Sequence, residues 1–138
     1  MAFLNIDEGI FYLLSHDTEV KLIVVKRIYP LMLPQNPTLP AITYQLISPM
    51  NLIAHNGAVG TAYCRYQINA FDDDFDGVKL LVDKIRLCMD GYKGAIGTTS
   101  TINVQAMLPD GGGDDYDPET KRFRSFRDYV IWHDEQVT

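Results

Sequence analysis

Apolar and polar residues alternate between positions 61 and 70, and this pattern predicts a strand that buries one face. The apolar face carries Ala62, Cys64, Tyr66, Ile68 and Ala70. The polar face carries Thr61, Tyr63, Arg65, Gln67 and Asn69. We expect the apolar face to pack against the rest of the fold, and the polar face to be exposed to solvent or to contact a partner.

Apolar residues recur three and four positions apart between residues 74 and 90, which predicts an amphipathic helix that ends at Gly91. Its apolar stripe is Val78, Leu81, Val82, Ile85 and Met89. Similar spacing over residues 4–15 predicts a first helix. Asp17 can cap a short second helix, which should end before Pro30.

The remaining segments predict strands, turns and connectors. The four prolines within residues 30–40 indicate an extended connector. The sequence His55-Asn56-Gly57 favours the turn of a hairpin, because Asn-Gly tolerates positive φ. Residues 98–108 and 121–133 predict two further strands, and the glycine-rich segment 109–115 between them predicts a loop.

This order of helices and strands predicts an α+β fold, with an antiparallel sheet of about four strands and helices packed mainly on one face. The 138 residues, of which 46% are hydrophobic, are enough for one domain with its own core. We therefore expect a single domain over residues 1–138.

The charge balance restricts the partners. The net charge is -6 and the pI is near 4.8, so the chain as a whole should repel a phosphate backbone, and specific nucleic-acid binding is not expected. The basic residues Lys121, Arg122, Arg124 and Arg127 are interpreted as one solvated strand face. No basic leader and no apolar run of membrane length is visible, which predicts a soluble protein of the cytoplasm.

Two acidic clusters are candidates for cation binding. Asp72, Asp74, Asp76 and Asp83 fit part of a calcium loop, although a strand precedes them and an aspartate replaces the final glutamate. The alternative is that Asp73 or Asp74 caps the following helix, and that the remaining carboxylates favour its positive end. Asp110, Asp114, Asp115 and Asp117 form a second group, for which a flexible solvated loop is the expected state.

Catalytic and cofactor motifs are not found in the sequence. His16, His55 and His133 lack metal-binding spacing and are expected at the surface. Cys64 and Cys88 lie in apolar patterns, which favours buried free thiols. Residues 94–99 resemble a phosphate loop only loosely, because the Gly-Lys-Ser/Thr ending is missing. The chain is therefore not expected to be an enzyme or to need a cofactor.

Several short segments, in this order, together resemble the phage tail completion family, which includes tail terminators. They are Arg27-Ile28-Tyr29-Pro30, Leu33-Pro34-Gln35, residues 39–45, Arg65-Tyr66-Gln67-Ile68, Gly91-Tyr92, and Asp128-Tyr129 with Trp132. Each segment is short and common, so their order and spacing over residues 7–133 carry the resemblance.

The resemblance implies a structural protein that caps the tail tube as a ring, in many relatives of about six subunits, and joins the tail to the head. The implied partners are other copies of the chain, a tail tube protein and a head connector or completion protein, within a virion tail assembled in the host cytoplasm. DNA could pass through the ring without specific binding. Candidate contact residues are Tyr63, Arg65, Gln67, Asp110, Asp114 and Asp115. A calcium-dependent interaction module using residues 72–83 is the alternative function.

Overall fold

The computed structural model describes residues 5–56 and 59–136, and begins with two short helices. Helix α1 spans Ile6–His16 and helix α2 spans Thr18–Val24. The side chain of Asn5 accepts a hydrogen bond from the Glu8 amide at 2.8 Å, and that of Asp17 accepts one from the Val20 amide at 3.0 Å. Both residues satisfy amides that a helix start leaves unpaired. The predicted cap at Asp17 is therefore confirmed, although α2 ends six residues before Pro30.

Six strands and a third helix follow the first two helices. They are β1 (Ile28–Pro30), β2 (Ala41–Asn56), β3 (Val59–Asp72), α3 (Phe75–Met89), β4 (Gly94–Gly97), β5 (Thr101–Asp117) and β6 (Arg122–Gln136). The strands form one sheet in the order β1-β2-β3-β6-β5-β4. Only the β1–β2 pair is parallel among these described pairings.

The α+β class is confirmed, but the expected sheet of about four antiparallel strands is corrected to six strands with one parallel pair. The two additional strands, β1 and β4, have three and four residues and lie at the two sheet edges. Strands of this length are too short to show an alternating pattern. In the predicted hairpin, Asn56 pairs with Val59, and Gly57 lies outside the described residues.

The segment 109–115, predicted as a loop, is corrected to strand, because β5 continues to Asp117. Strand β5 pairs with β6 as far as the pair of Asp117 and Arg122. The register shifts between Pro109 and Gly112, where a β-bulge accommodates the additional residues. A Cβ on Gly112 would lie 2.4 Å from the Phe126 carbonyl oxygen. Glycine therefore permits the close pairing of β5 and β6 in a segment that its composition alone predicted to be a loop.

Helices α1 and α3 pack against one face of the sheet, and α2 packs against these two helices on the same side. The predicted α3 stripe from Val78 to Met89 is fully buried, and it shares one core cluster with Ile10 and Leu14 of α1 and Val20 and Val24 of α2. Alternate β3 residues, including Tyr66 and Ile68, complete this cluster. The opposite side of the sheet, called here the open face, carries the polar residues of β3. In the part of the chain that the structure describes, no helix has the length and apolar character needed to cross a membrane.

Candidate assembly surface

The open face contains a stacked aromatic pair formed by adjacent strands. Tyr63 of β3 is in register with Trp132 of β6, so their side chains leave the sheet on the same side. The ring centroids are 5.2 Å apart and the planes are inclined by 26°. Both side chains are partly exposed. Aromatic rings with an apolar body and a polar tip are favoured at protein interfaces.

Beside this pair, Arg65 connects three strands. Its guanidinium donates to the Asp110 carboxylate, and also to the Asp110 carbonyl oxygen at 3.0 Å. A second carboxylate, that of Asp128, lies 3.7 Å away. Gln67 donates its side-chain amide to Asp128 at 3.3 Å. The structure thus brings together four of the six predicted contact residues, namely Tyr63, Arg65, Gln67 and Asp110, on neighbouring positions of one face.

Asp114 and Asp115 do not join this group. Asp114 accepts hydrogen bonds from Ser125 Oγ at 2.5 Å and Lys79 Nζ at 3.0 Å, and these donors hold the pKa of its carboxyl below the ordinary value. Asp115 binds Arg124, with its Oδ2 atom 2.6 Å from Nη2. Both aspartates are paired within a strand hairpin, so the expected flexible acidic loop is corrected.

A polar network across the sheet was missed by the sequence analysis. Arg124 donates to Asn69 Oδ1 at 3.0 Å, and Asn69 donates to Thr43 Oγ1 at 3.1 Å. Asn69 and Thr43 are only 2% and 1% exposed. Asn69 was predicted on a face that is exposed to solvent or contacts a partner, but it is buried within the protein. The Arg124 guanidinium also lies 4.5 Å from the centroid of the Phe126 ring. The sequence gives only a weak signal of this network. Arg124 and Phe126 are two residues apart, and their positions opposite Phe71 and Asn69 are known only from the β3–β6 register.

The basic residues predicted as one solvated strand face occupy different positions. Lys121 precedes β6, whereas Arg124 and Arg127 lie on opposite faces of it, because the β3–β6 register is continuous from Asp72 to Val59. Arg124 is used in the network above, and Arg127 donates to the Phe126 carbonyl at 2.9 Å. These residues do not form a single basic strip.

The acidic run before α3 acts mainly at the start of the helix. Asp74 is the N-cap and accepts from the Gly77 amide at 2.9 Å. Asp72 is buried, which raises the pKa of its carboxyl, and it accepts from the Asp73 amide. Asp83 pairs with Arg86 at 3.1 Å, while Asp76 is exposed. Among the described residues, no group of three or more His, Cys, Asp or Glu side chains is placed to hold a metal ion.

Histidine and cysteine positions require one correction. His133 was expected at the surface, but it is fully buried, because β6 places it opposite Ala62 and Val104 on the helix-covered face. Its Nδ1 atom lies 2.9 Å from the Asp134 carbonyl oxygen. Cys64 is buried and Cys88 is half-buried, and burial raises the pKa of each thiol to about 12. The side chain of His55 lies outside the described part.

Together, these observations define an α+β domain whose open sheet face carries ion pairs and a stacked aromatic pair. The family model described as "Tail completion protein gp17" matches residues 8–134. The chain therefore belongs to this family of phage tail completion proteins. The resemblance seen in the sequence is thereby confirmed.

A solved structure titled "Virion of native gene transfer agent (GTA) particle" contains a chain with a similar fold. The TM-score is 0.67 over 93% of both chains, at 11% sequence identity. At this identity the likeness shows the fold alone. None of the curated proteins compared with the chain matches it.

Proposed function

We propose that this protein completes the phage tail by forming a closed ring on the end of the tail tube, which stops tube growth and joins the tail to the head. The family match over residues 8–134 carries this proposal. The similar chain from a gene transfer agent virion supports a location in the virion, and the family description supports the tail. Assembly would take place in the host cytoplasm, and the ring would be a hexamer of identical subunits.

The role is structural and needs no turnover or cofactor. The proposed partners are further copies of the chain, the tail tube protein and the head connector or completion protein. The cluster of Tyr63, Arg65, Gln67 and Asp110 on the open face is the candidate contact region, because it combines rigid aromatic area with fixed charges. Asp114 and Asp115 would act by holding the β5–β6 hairpin rigid.

The net charge of -6 suits a channel through which DNA passes without adhering. Phosphates are repelled by a negatively charged wall, so a ring of such subunits would not retain the genome at its lumen. This explains how a protein at the head–tail junction could surround DNA without binding a sequence.

The test is electron microscopy of a lysate from which the gene has been deleted. We expect DNA-filled heads and separate tails, with tails longer than normal if the protein also stops tube growth. A plasmid copy of the gene should restore joined particles. Infectious particles with attached heads and tails of unchanged length, in the absence of the gene, would contradict the proposal.

A further inference from the structure

A groove of about 480 Å³ lies beside α1, on the side of β2. Its walls combine the aromatic rings of Phe11, Tyr12 and Tyr44 with the carboxylates of Asp7 and Glu8. Phe11 is 41% exposed, although it is a large apolar residue. We call this surface, defined by these five residues, the α1 groove; it suits an occupant that is apolar and carries positive charge.

The outer side of α2 has the opposite character. Val20 and Val24 are buried, which turns Leu22 outward, and Leu22 is 74% exposed. Val25, directly after the helix, is 52% exposed. Lys21 and Lys26 flank these apolar side chains, and neither lysine forms an ion pair with any residue that the structure describes. We call Lys21, Leu22, Val25 and Lys26 the α2 patch.

We propose that the α2 patch of one subunit docks into the α1 groove of the next subunit, and that repetition of this contact closes the ring. The proposal rests on the ring of the proposed function and identifies the surfaces that would join its subunits. Leu22 would enter the aromatic groove, and Lys21 or Lys26 would approach Glu8. The apolar surface exposed on both sides would be covered in a single contact.

The charges favour contact between the two different surfaces over contact of either surface with its own copy. A surface that met its own copy would bring lysines against lysines or acidic groups against acidic groups. A two-fold contact could pair the two surfaces only by using both surfaces of each subunit at once, and it would stop at a dimer. Like charges placed together in an interface are strongly unfavourable. Two different surfaces of opposite charge meet head to tail instead, and such contacts close into a ring when the rotation between subunits permits it.

Residue pairing can be tested by crosslinking in assembled tails. Tails are purified from a phage that carries Phe11→Cys together with Leu22→Cys, and are then mildly oxidised. We expect a ladder of disulfide-linked oligomers on a non-reducing gel. The native thiols should give little background, since burial raises the pKa of Cys64 and Cys88 to about 12 and suppresses their reactive thiolates. The control pairs Phe11→Cys with Leu87→Cys, because Leu87 is 80% exposed and belongs to neither surface.

Charge reversal supplies an independent measurement. Glu8→Lys or Lys21→Glu, expressed in a phage that lacks the gene, should lower the yield of joined particles by about tenfold or more, because each places like charges at the contact. The double variant restores opposite charges at every contact and should recover most of the yield. Glu119→Lys, on the exposed turn between β5 and β6, is the matched control and should have little effect.

The proposed contact would be overturned by full yield from both single reversals, or by absence of the crosslinked ladder from tails that contain the double-cysteine protein. A ladder in which the chain is linked to another tail protein instead of to itself would also overturn it, by identifying a different occupant of the groove. These results would leave the proposed tail-completion function intact. That function fails separately, if deletion of the gene leaves normal particles.

Discussion

At the residue scale, the burial of a side chain is determined by the residues that pack around it rather than by its polarity. Asn69 is buried on the open face because Arg124 and Thr43 hydrogen-bond to it from the adjacent strands. Leu80 and Leu81 show the same principle in α3, since the first is 52% exposed and the second fully buried. Identical side chains one position apart therefore make different contributions to stability.

Leu81→Ala should lower the free energy of unfolding by roughly 2–5 kcal/mol, because it removes a buried side chain and leaves a cavity. Leu80→Ala is the matched control, and should change it by about 0.5 kcal/mol or less, as surface substitutions do. Urea denaturation of the three proteins measures both values. Equal losses in the two variants would show that the stripe is not the core face of α3.

The stability of the fold should decrease at alkaline pH through its buried thiols. Burial raises the pKa of Cys64 from 9.0 to about 12 in the folded protein. Below pH 9 the thiol is protonated in both states, so its contribution is fully present. As the pH rises from 9 towards 12, the unfolded thiol loses its proton first, and stability falls.

Cys64→Ala should therefore show a shallower loss of stability between pH 9 and 11 than the parent, by up to about 1.4 kcal/mol per pH unit for one proton. Denaturant melts at several pH values provide the measurement. The comparison of slopes, rather than of absolute stabilities, separates titration of the thiol from the small cavity that the substitution leaves. Parallel slopes would contradict a buried neutral thiol.

At the element scale, helix starts are specified by single polar residues. Asp17 is the last flanking residue of α1 and its side chain caps α2, so one residue marks the junction between the two helices. Asp74 has the corresponding role at α3, between the last residue of β3 and the first buried residue of the helix, Val78. The acidic run is thus explained in large part by a capped helix start, at which negative charge is favourable.

Asp74→Ala should reduce stability by about 1 kcal/mol, because the Gly77 amide loses its acceptor. Asp73→Ala removes the same charge one position earlier, from an exposed side chain that does not cap the helix, and should cost clearly less. Thermal and urea unfolding of both variants would test this difference. A larger loss in the Asp73 variant would place the cap elsewhere.

At the scale of the whole molecule, the helices cover one side of the sheet, and the polar side chains of β3 lie on the other. The charged groups there are already arranged, because Arg65 is held by Asp110 and Asp128 before any partner binds. A surface with fixed side chains loses less conformational entropy on association than a mobile one. This favours the open face as a contact region for a neighbouring protein of the tail.

Arg65→Gln should alter stability by only about 1 kcal/mol or less, because its ion pairs are partly exposed. It should nevertheless reduce the yield of joined particles when it replaces the parent in a phage lacking the gene. Lys93→Gln, at an exposed position after α3, is the control and should assemble normally. Normal assembly with Arg65→Gln would remove the Arg65 cluster from the list of contacts, without affecting the α1 groove.

The sequence by itself determined the features that depend on neighbours along the chain. Periodicity and local hydrogen bonding act within a few residues, and they predicted the buried stripe of α3, the apolar face of β3 and the cap at Asp17. For α3 they left the cap between Asp73 and Asp74, and the structure places it at Asp74. Tertiary structure alone decided the edge strands β1 and β4, the continuation of β5 through its glycines, and the contact of Arg65 with Asp110. These features depend on hydrogen bonds and side-chain contacts between distant segments, and the register that brings such segments together is a property of the assembled sheet.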